Sequence, residues 1–99
     1  MFKTTTGKWF YIDYDLAVWH EQSDIDEMRG RIETAVRELP SDEQNAMHAA
    51  MIEAGETGTW IDGGPVDRLS AIVTREVSEI ARDWVDPAVA HCVTIYAEG

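Results

Sequence analysis

The sequence has little positive charge and little cysteine. Eight Lys and Arg stand against 19 Asp and Glu, so the formal net charge is −11. Direct binding to DNA, RNA or anionic membranes depends on Lys and Arg, so this balance disfavours all three. The single cysteine, Cys92, excludes an internal disulfide, and its place in an apolar run predicts a small buried hydrophobic side chain.

Long hydrophobic runs are also missing. No segment approaches the roughly 20 apolar residues that span a bilayer. The opening MFKTTTGKWF has no apolar stretch of signal-peptide length, so we expect a cytoplasmic protein with no membrane partner. The hydrophobic share of 44% is ordinary for a globular chain, and the 99 residues predict one acidic domain over 1–99.

Alternation of apolar and polar residues predicts strands at both ends of the chain. One runs from Trp9 to Trp19, with Trp19 on the water-facing side of the strand beside Asp13 and Asp15. A short strand over 2–6 could precede it as a hairpin, and another strand runs from 89 to 96. Because unpaired edge strands leave backbone groups unsatisfied, the terminal strands are expected to pair.

Apolar residues at helical spacing predict two helices in the middle of the chain. The first begins with Ser23 as its N-cap and stops at Pro40. The second begins with a capping box formed by Ser41 and Gln44, and it ends at Gly55 as the C′ residue.

A third helix has the clearest apolar stripe, from Val66 to Trp84. Pro65 suits its first turn and Asp86-Pro87 ends it. The order is strand or hairpin, three helices, strand. The sequence therefore predicts an α+β fold, in which a small antiparallel sheet from the two chain ends carries three helices on one face.

The three histidines show no pattern typical of a metal site. His48 has no His, Cys or carboxylate at helical contact spacing, and His91 and Cys92 point to opposite faces of a strand. We therefore predict no metal, no cofactor and no catalytic residues. An enzyme that pairs a carboxylate with His20 or His48 in three dimensions is the weakest of three alternatives.

The distribution of charge is more informative than any motif. Six acids and no base lie between Asp13 and Glu27, and seven acids and no base lie between Glu38 and Asp67. Such runs can simply keep a protein soluble, but tryptophans among acids are typical of binding surfaces, where aromatics anchor and charge steers. The predicted partner-binding residues are Asp13, Asp15, Trp19, Asp24, Asp26, Asp42, Glu43, Glu56, Trp60 and Asp62.

The first functional hypothesis is a non-enzymatic module whose acidic surface engages a basic protein. Nucleic-acid-binding proteins suit this role because their grooves attract phosphate. In size and charge alone, with no shared motif, the chain resembles small acidic phage inhibitors of restriction or CRISPR machinery that mimic DNA. The second hypothesis is an antitoxin-like structural or regulatory subunit, in which apolar stripes form the interface of a homodimer.

Overall fold

The fold is a three-stranded antiparallel sheet with three helices packed on it. The computed structural model describes residues 1–58, 63–86 and 92–99. The elements in chain order are β1 (Phe2–Lys3), β2 (Trp9–Tyr14), α1 (Gln22–Arg37), α2 (Ser41–Thr57), α3 (Pro65–Ala81) and β3 (Val93–Glu98). The strand order is β1-β2-β3, so the two ends of the chain meet in one sheet and the predicted α+β fold is confirmed.

The sheet joins the N-terminal hairpin to the C-terminal strand. Phe2 pairs with Phe10 across the hairpin, and Gly7 has the positive φ of 86° that its turn requires. β2 pairs with β3 from Trp9↔Glu98 to Tyr14↔Val93. Alternate residues point inward, and those that form the floor of the core are Phe10, Ile12, Val93 and Ile95.

β2 ends at Tyr14, so the predicted strand as far as Trp19 is wrong. The Asp13 carboxylate accepts the Tyr14 N–H at 3.0 Å, and the Asp15 carboxylate accepts the Ala17 N–H at 2.9 Å. The Trp19 N–H then donates to the Asp15 carbonyl at 2.8 Å. Aspartates that bond nearby backbone groups favour turns, and this turn replaces the continuation of the strand.

The three helices lie where the apolar spacing predicted them, but their ends differ. α1 has Glu21 at its N-cap position, so the prediction of Ser23 as the cap is wrong. α2 continues past Gly55 and ends at Thr57, because the left-handed residue that terminates it is Gly58 with φ 67°. α3 begins at Pro65, as predicted, and ends at Ala81, before the predicted stop.

The core lies between the sheet and the stripes of α1 and α3. α2 contributes less apolar surface, and its buried residues include two polar side chains, Gln44 and His48, beside Met47. The largest completely buried apolar side chains are Trp19, Phe10, Met28, Ile32, Met47, Leu69, Val36 and Val77.

Gln44 connects three elements, and the predicted capping box with Ser41 is wrong. Its side chain is 1% exposed. The Oε1 atom accepts the N–H of Thr5 at 3.1 Å, while Nε2 donates to the carbonyls of Leu39 at 2.8 Å and Arg37 at 3.3 Å. Gln44 therefore turns away from its own helix start and joins the hairpin turn to the end of α1.

The predicted C-terminal strand is confirmed from Val93 to Tyr96, and it continues beyond its predicted end to Glu98. Its predicted beginning over 89–91, with His91, lies outside the described residues. Cys92 is half-buried and packs against the core rather than being completely enclosed.

Candidate functional site

One face of the sheet is left open by the helices in the part of the chain that the structure describes. All seven side chains on this face are exposed. We call this surface the outer sheet face; it consists of Lys3, Trp9, Tyr11, Asp13, Thr94, Tyr96 and Glu98. Its position follows from strand alternation, because Phe10, Ile12 and Ile95 occupy the opposite, buried face.

Three aromatic side chains lie on the outer sheet face. The exposed fractions are 44% for Trp9, 40% for Tyr11 and 47% for Tyr96. Tyr11 and Tyr96 are opposite each other in the β2–β3 register, with ring centroids 6.5 Å apart. Lys3 Nζ lies 5.7 Å from the centre of the Trp9 ring. Large aromatics held by a rigid sheet have little entropy to lose, which suits them to anchor a protein interface.

Carboxylates continue from the outer sheet face into the turn after β2 and the start of α1. We call this group the acidic junction; it consists of Asp13, Asp15, Glu21, Asp24, Asp26 and Glu27. No Lys or Arg occurs between Lys8 and Arg29. The Arg29 guanidinium lies over the Tyr14 ring at 5.5 Å, at the boundary of the group. The acidic junction is thus continuous along the chain with the end of the outer sheet face where Asp13 lies.

Of the predicted site residues in the acidic junction, Asp13, Asp15 and Asp26 are exposed and Asp24 is half-buried. Backbone N–H groups hold the carboxylates of Asp13 and Asp15, and Gln22 Nε2 donates to Asp26 at 2.9 Å. These contacts fix the positions of the carboxylates without neutralising them.

Trp19 has no surface to offer a partner, so its prediction as a binding residue is wrong. It is 0% exposed, and its ring lies 5.0 Å from that of Trp84. The turn at Asp15 rotates Trp19 into the core, where its Nε1 has no hydrogen-bond partner among the described residues. Trp60 and Asp62 lie outside the described residues.

The remaining predicted acids belong to a different part of the molecule. Asp42 and Glu43 lie in the first turn of α2, and Glu56 lies in its last turns. The contact of Gln44 with Thr5 places the start of α2 beside the hairpin turn, at the opposite end of β2 from Asp13. The six residues of β2 span roughly 17 Å. The structure therefore places these acids apart from the acidic junction, and Glu43 is paired with Arg68 at 3.3 Å.

The described histidines have separate surroundings. His20 is exposed, with Nε2 3.9 Å from the Glu21 carboxylate. His48 is buried; its Nε2–H donates to the carbonyl of Glu98 at 2.8 Å, and its ring meets the Phe10 ring edge-on. His48 thereby fastens α2 to the end of β3. Among the described residues, no group of three or more His, Cys, Asp or Glu is placed to hold a metal ion.

A groove of about 510 Å³ lies between α2 and the start of α3. Its walls contain the ion pair of Glu43 and Arg68, together with Met47 and Pro65. Within the described part of the chain, no histidine lines this groove. The Gly63 N–H at its rim already donates to the Asp67 carboxylate, which leaves one backbone donor fewer for an anion.

The binding residues predicted from the sequence do not include Trp9, Tyr11, Tyr96 or Glu98. Strand alternation could place Tyr11 beside Asp13, but only the β2–β3 register brings Tyr96 opposite Tyr11. The signal in the sequence was the aromatic content of both terminal strands.

Comparison with protein-family models, curated protein sequences and solved structures finds no match. Over the described residues, no helix is both long and apolar enough to cross a membrane.

Proposed function

We propose that the protein is a non-enzymatic binding module that engages a basic protein through its outer sheet face and acidic junction. The partner class that suits it best is a nucleic-acid-binding protein, whose groove the carboxylates would occupy in place of phosphates. In this proposal the module acts as an inhibitor that mimics the charge of DNA, as phage anti-defence proteins do.

The observation that carries the proposal is the presence of Trp9, Tyr11 and Tyr96 on one open face with a carboxylate at each end. Asp13 lies at one end of that face and Glu98 at the other. Charged rims and aromatic centres are the usual composition of specific interfaces. A surface that served only solubility would gain nothing from three exposed rings, since exposed apolar area promotes association.

The net charge of −11 supports the same proposal through kinetics. Opposite charges accelerate encounter between proteins, and the acceleration falls with ionic strength because screening sets in over about 10 Å at 0.1 M. Binding should therefore weaken steeply with salt.

The test compares three immobilised forms of the chain as baits for proteins of the native host, with quantitative mass spectrometry. One is the unmodified chain, and the second carries Asp13, Asp15 and Asp24 changed to Lys. The third carries the same charge change elsewhere, at exposed positions 53, 79 and 83 on or near α2 and α3. We expect basic proteins to be lost from the second bait and retained by the third, because the interface is local.

The protein captured is then purified, and its binding is measured against salt and against double-stranded DNA. DNA should compete with the module if both occupy one groove. The changes Trp9→Ala and Tyr96→Ala should weaken binding without a change in charge. If binding of the partner is unaffected by the three charge reversals, by salt and by DNA, the charge serves solubility only. That result would favour the accessory-subunit hypothesis.

A further inference from the structure

We propose that β3 pairs with the β3 strand of a second copy of this chain, antiparallel and two-fold symmetric about Ile95. This interface uses the edge of the sheet rather than its outer face, so it is independent of the proposed function.

β3 is an edge strand, since the sheet order is β1-β2-β3. The Asp15 N–H donates to the Cys92 carbonyl at 3.1 Å, which continues the β2–β3 ladder beyond Tyr14↔Val93. In an antiparallel ladder, alternate residues exchange hydrogen bonds. The backbone groups of Thr94, Tyr96 and Glu98 therefore face β2, and those of the residues between them face away.

The hydrogen bonds of the hairpin show independently which residues of β2 bond to β1 and which bond to β3. The Thr4 N–H donates to the Lys8 carbonyl at 2.7 Å, so the backbone of Phe10 faces β1 and that of Trp9 faces β3. It follows that the N–H and C=O groups of Val93, Ile95 and Ala97 lie along the outer edge of β3. Among the described residues, no other segment pairs with this edge.

Among the described residues, the edge of β3 from Val93 to Ala97 lacks the charge and the proline that commonly protect an edge strand from pairing. Native edge strands are commonly short, charged or interrupted by proline. The other edge of this sheet follows that rule, because β1 has two residues, one of which is Lys3. The segment 93–97, VTIYA, has no charge and no proline. Only another extended backbone presents alternating donors and acceptors that match such an edge.

The register of the strand is self-complementary. Pairing about Ile95 places Val93 opposite Ala97 of the second copy. The edge-facing backbone groups of Val93, Ile95 and Ala97 in each copy then all have hydrogen-bond partners. Thr94 then lies opposite Tyr96, and Cys92 lies opposite Glu98, so no two acids face each other across the interface. The long-range repulsion between two chains of charge −11 opposes the dimer. Salt should therefore strengthen it, whereas salt weakens the binding of a basic protein.

The first test is a disulfide between copies. In the two-fold pair, Thr94 and Tyr96 of the second copy form a pair without backbone hydrogen bonds, with Cα atoms about 4.5 Å apart and both side chains on the outer sheet face, which suits a disulfide. Mixing the separate variants Thr94→Cys and Tyr96→Cys brings the two introduced thiols together only between copies. Under mild oxidation the mixture should give a covalent dimer that joins position 94 of one copy to position 96 of the other, identified by peptide mass spectrometry. Each variant alone, and Lys3→Cys on the opposite edge, should remain largely monomeric.

The second test is the dimer dissociation constant from analytical ultracentrifugation of the full chain. Ala97→Pro removes only an edge-facing N–H and should weaken the dimer at least tenfold. Ala97→Ser keeps that N–H and should leave it unchanged. Circular dichroism checks the fold of each variant, and if Ala97→Pro does not fold, the disulfide result decides. A monomer at the highest soluble concentration and high salt, or an oxidised mixture without the bridge from position 94 to position 96, would overturn the proposal, whatever the basic-partner experiments show.

Discussion

Replacing Gln44 by alanine tests whether a polar side chain holds the three parts of this fold together. The amide is 1% exposed and bridges Thr5 of the hairpin turn to Leu39 at the end of α1. Alanine leaves both backbone groups without their partner. The loss of these hydrogen bonds should affect the structure far from α2, because the hairpin carries part of the outer sheet face.

The magnitude follows from the contacts. The bonds to the Leu39 carbonyl, at 2.8 Å, and from the Thr5 N–H, at 3.1 Å, are each worth about 1 kcal/mol net. The bond to the Arg37 carbonyl adds little because it is long. The bond from the Thr5 hydroxyl adds little because Thr5 is exposed and water can replace this bond. Removing the buried methylene costs about 0.8 kcal/mol more. The free energy of unfolding should therefore fall by about 3 kcal/mol, and the Tm by about 12–24 °C.

The assay is chemical and thermal denaturation followed by circular dichroism, with two matched variants. Asn45→Ala removes the neighbouring exposed amide, which bonds only Thr6 in the described structure, and should cost less than about 0.5 kcal/mol. Gln44→Glu keeps the shape but turns a carboxylate oxygen toward two carbonyls. At neutral pH it should destabilise at least as much as alanine.

The Gln44→Glu variant also predicts a pH dependence. A buried carboxylate facing acceptors has its pKa raised in the folded state, so its penalty applies above the unfolded value of about 4.3 and disappears as the pH falls below it. The stability gap between this variant and the unmodified chain should narrow in acid. If Gln44→Ala instead costs no more than Asn45→Ala, the amide does not connect the hairpin to the helices, and the reasoning is refuted.

Two further predictions concern the core and the correction at Trp19. Leu69→Ala or Val73→Ala should cost about 2–4 kcal/mol of unfolding free energy, because both side chains are buried on α3; a loss below about 0.5 kcal/mol in denaturant titrations would mean that the α3 stripe is not the core. Trp19→Ala should cost about 3–5 kcal/mol while Trp9→Ala costs less than about 1 kcal/mol, and equal losses in the same titrations would contradict the burial difference between the two indoles.

Most of the architecture was predictable from periodicity. The stripes of α1 and α3 alternate cleanly with polar residues, and burial of a stripe is what a helix of that pattern requires. Pairing of the terminal strands followed from the need to satisfy backbone groups. Two of the failures share one cause, which is that polar side chains bonded to unexpected backbone groups. The Asp15 carboxylate stabilises a turn where alternation predicted a strand. The Gln44 side chain bonds to the hairpin turn and not to the start of its own helix.

The candidate site was harder to predict than the fold. Acidic runs in the sequence show where charge is plentiful, but they do not show which runs meet. The Gln44 contact with the hairpin turn placed the α2 acids at the far end of β2 from Asp13. Likewise, the pairing of Tyr11 with Tyr96 depends on a register that a one-residue slip would have abolished.

The tryptophans give this molecule two optical reporters that respond to different events. Trp19 is enclosed against Trp84, so its emission should lie at short wavelength and shift only on unfolding. Trp9 is 44% exposed on the outer sheet face, so its emission should be red-shifted and open to quenching by acrylamide. After Trp60→Phe removes the fourth indole, protection of Trp9 from the quencher would report an occupant on the sheet, and a Trp19 shift would report loss of the fold.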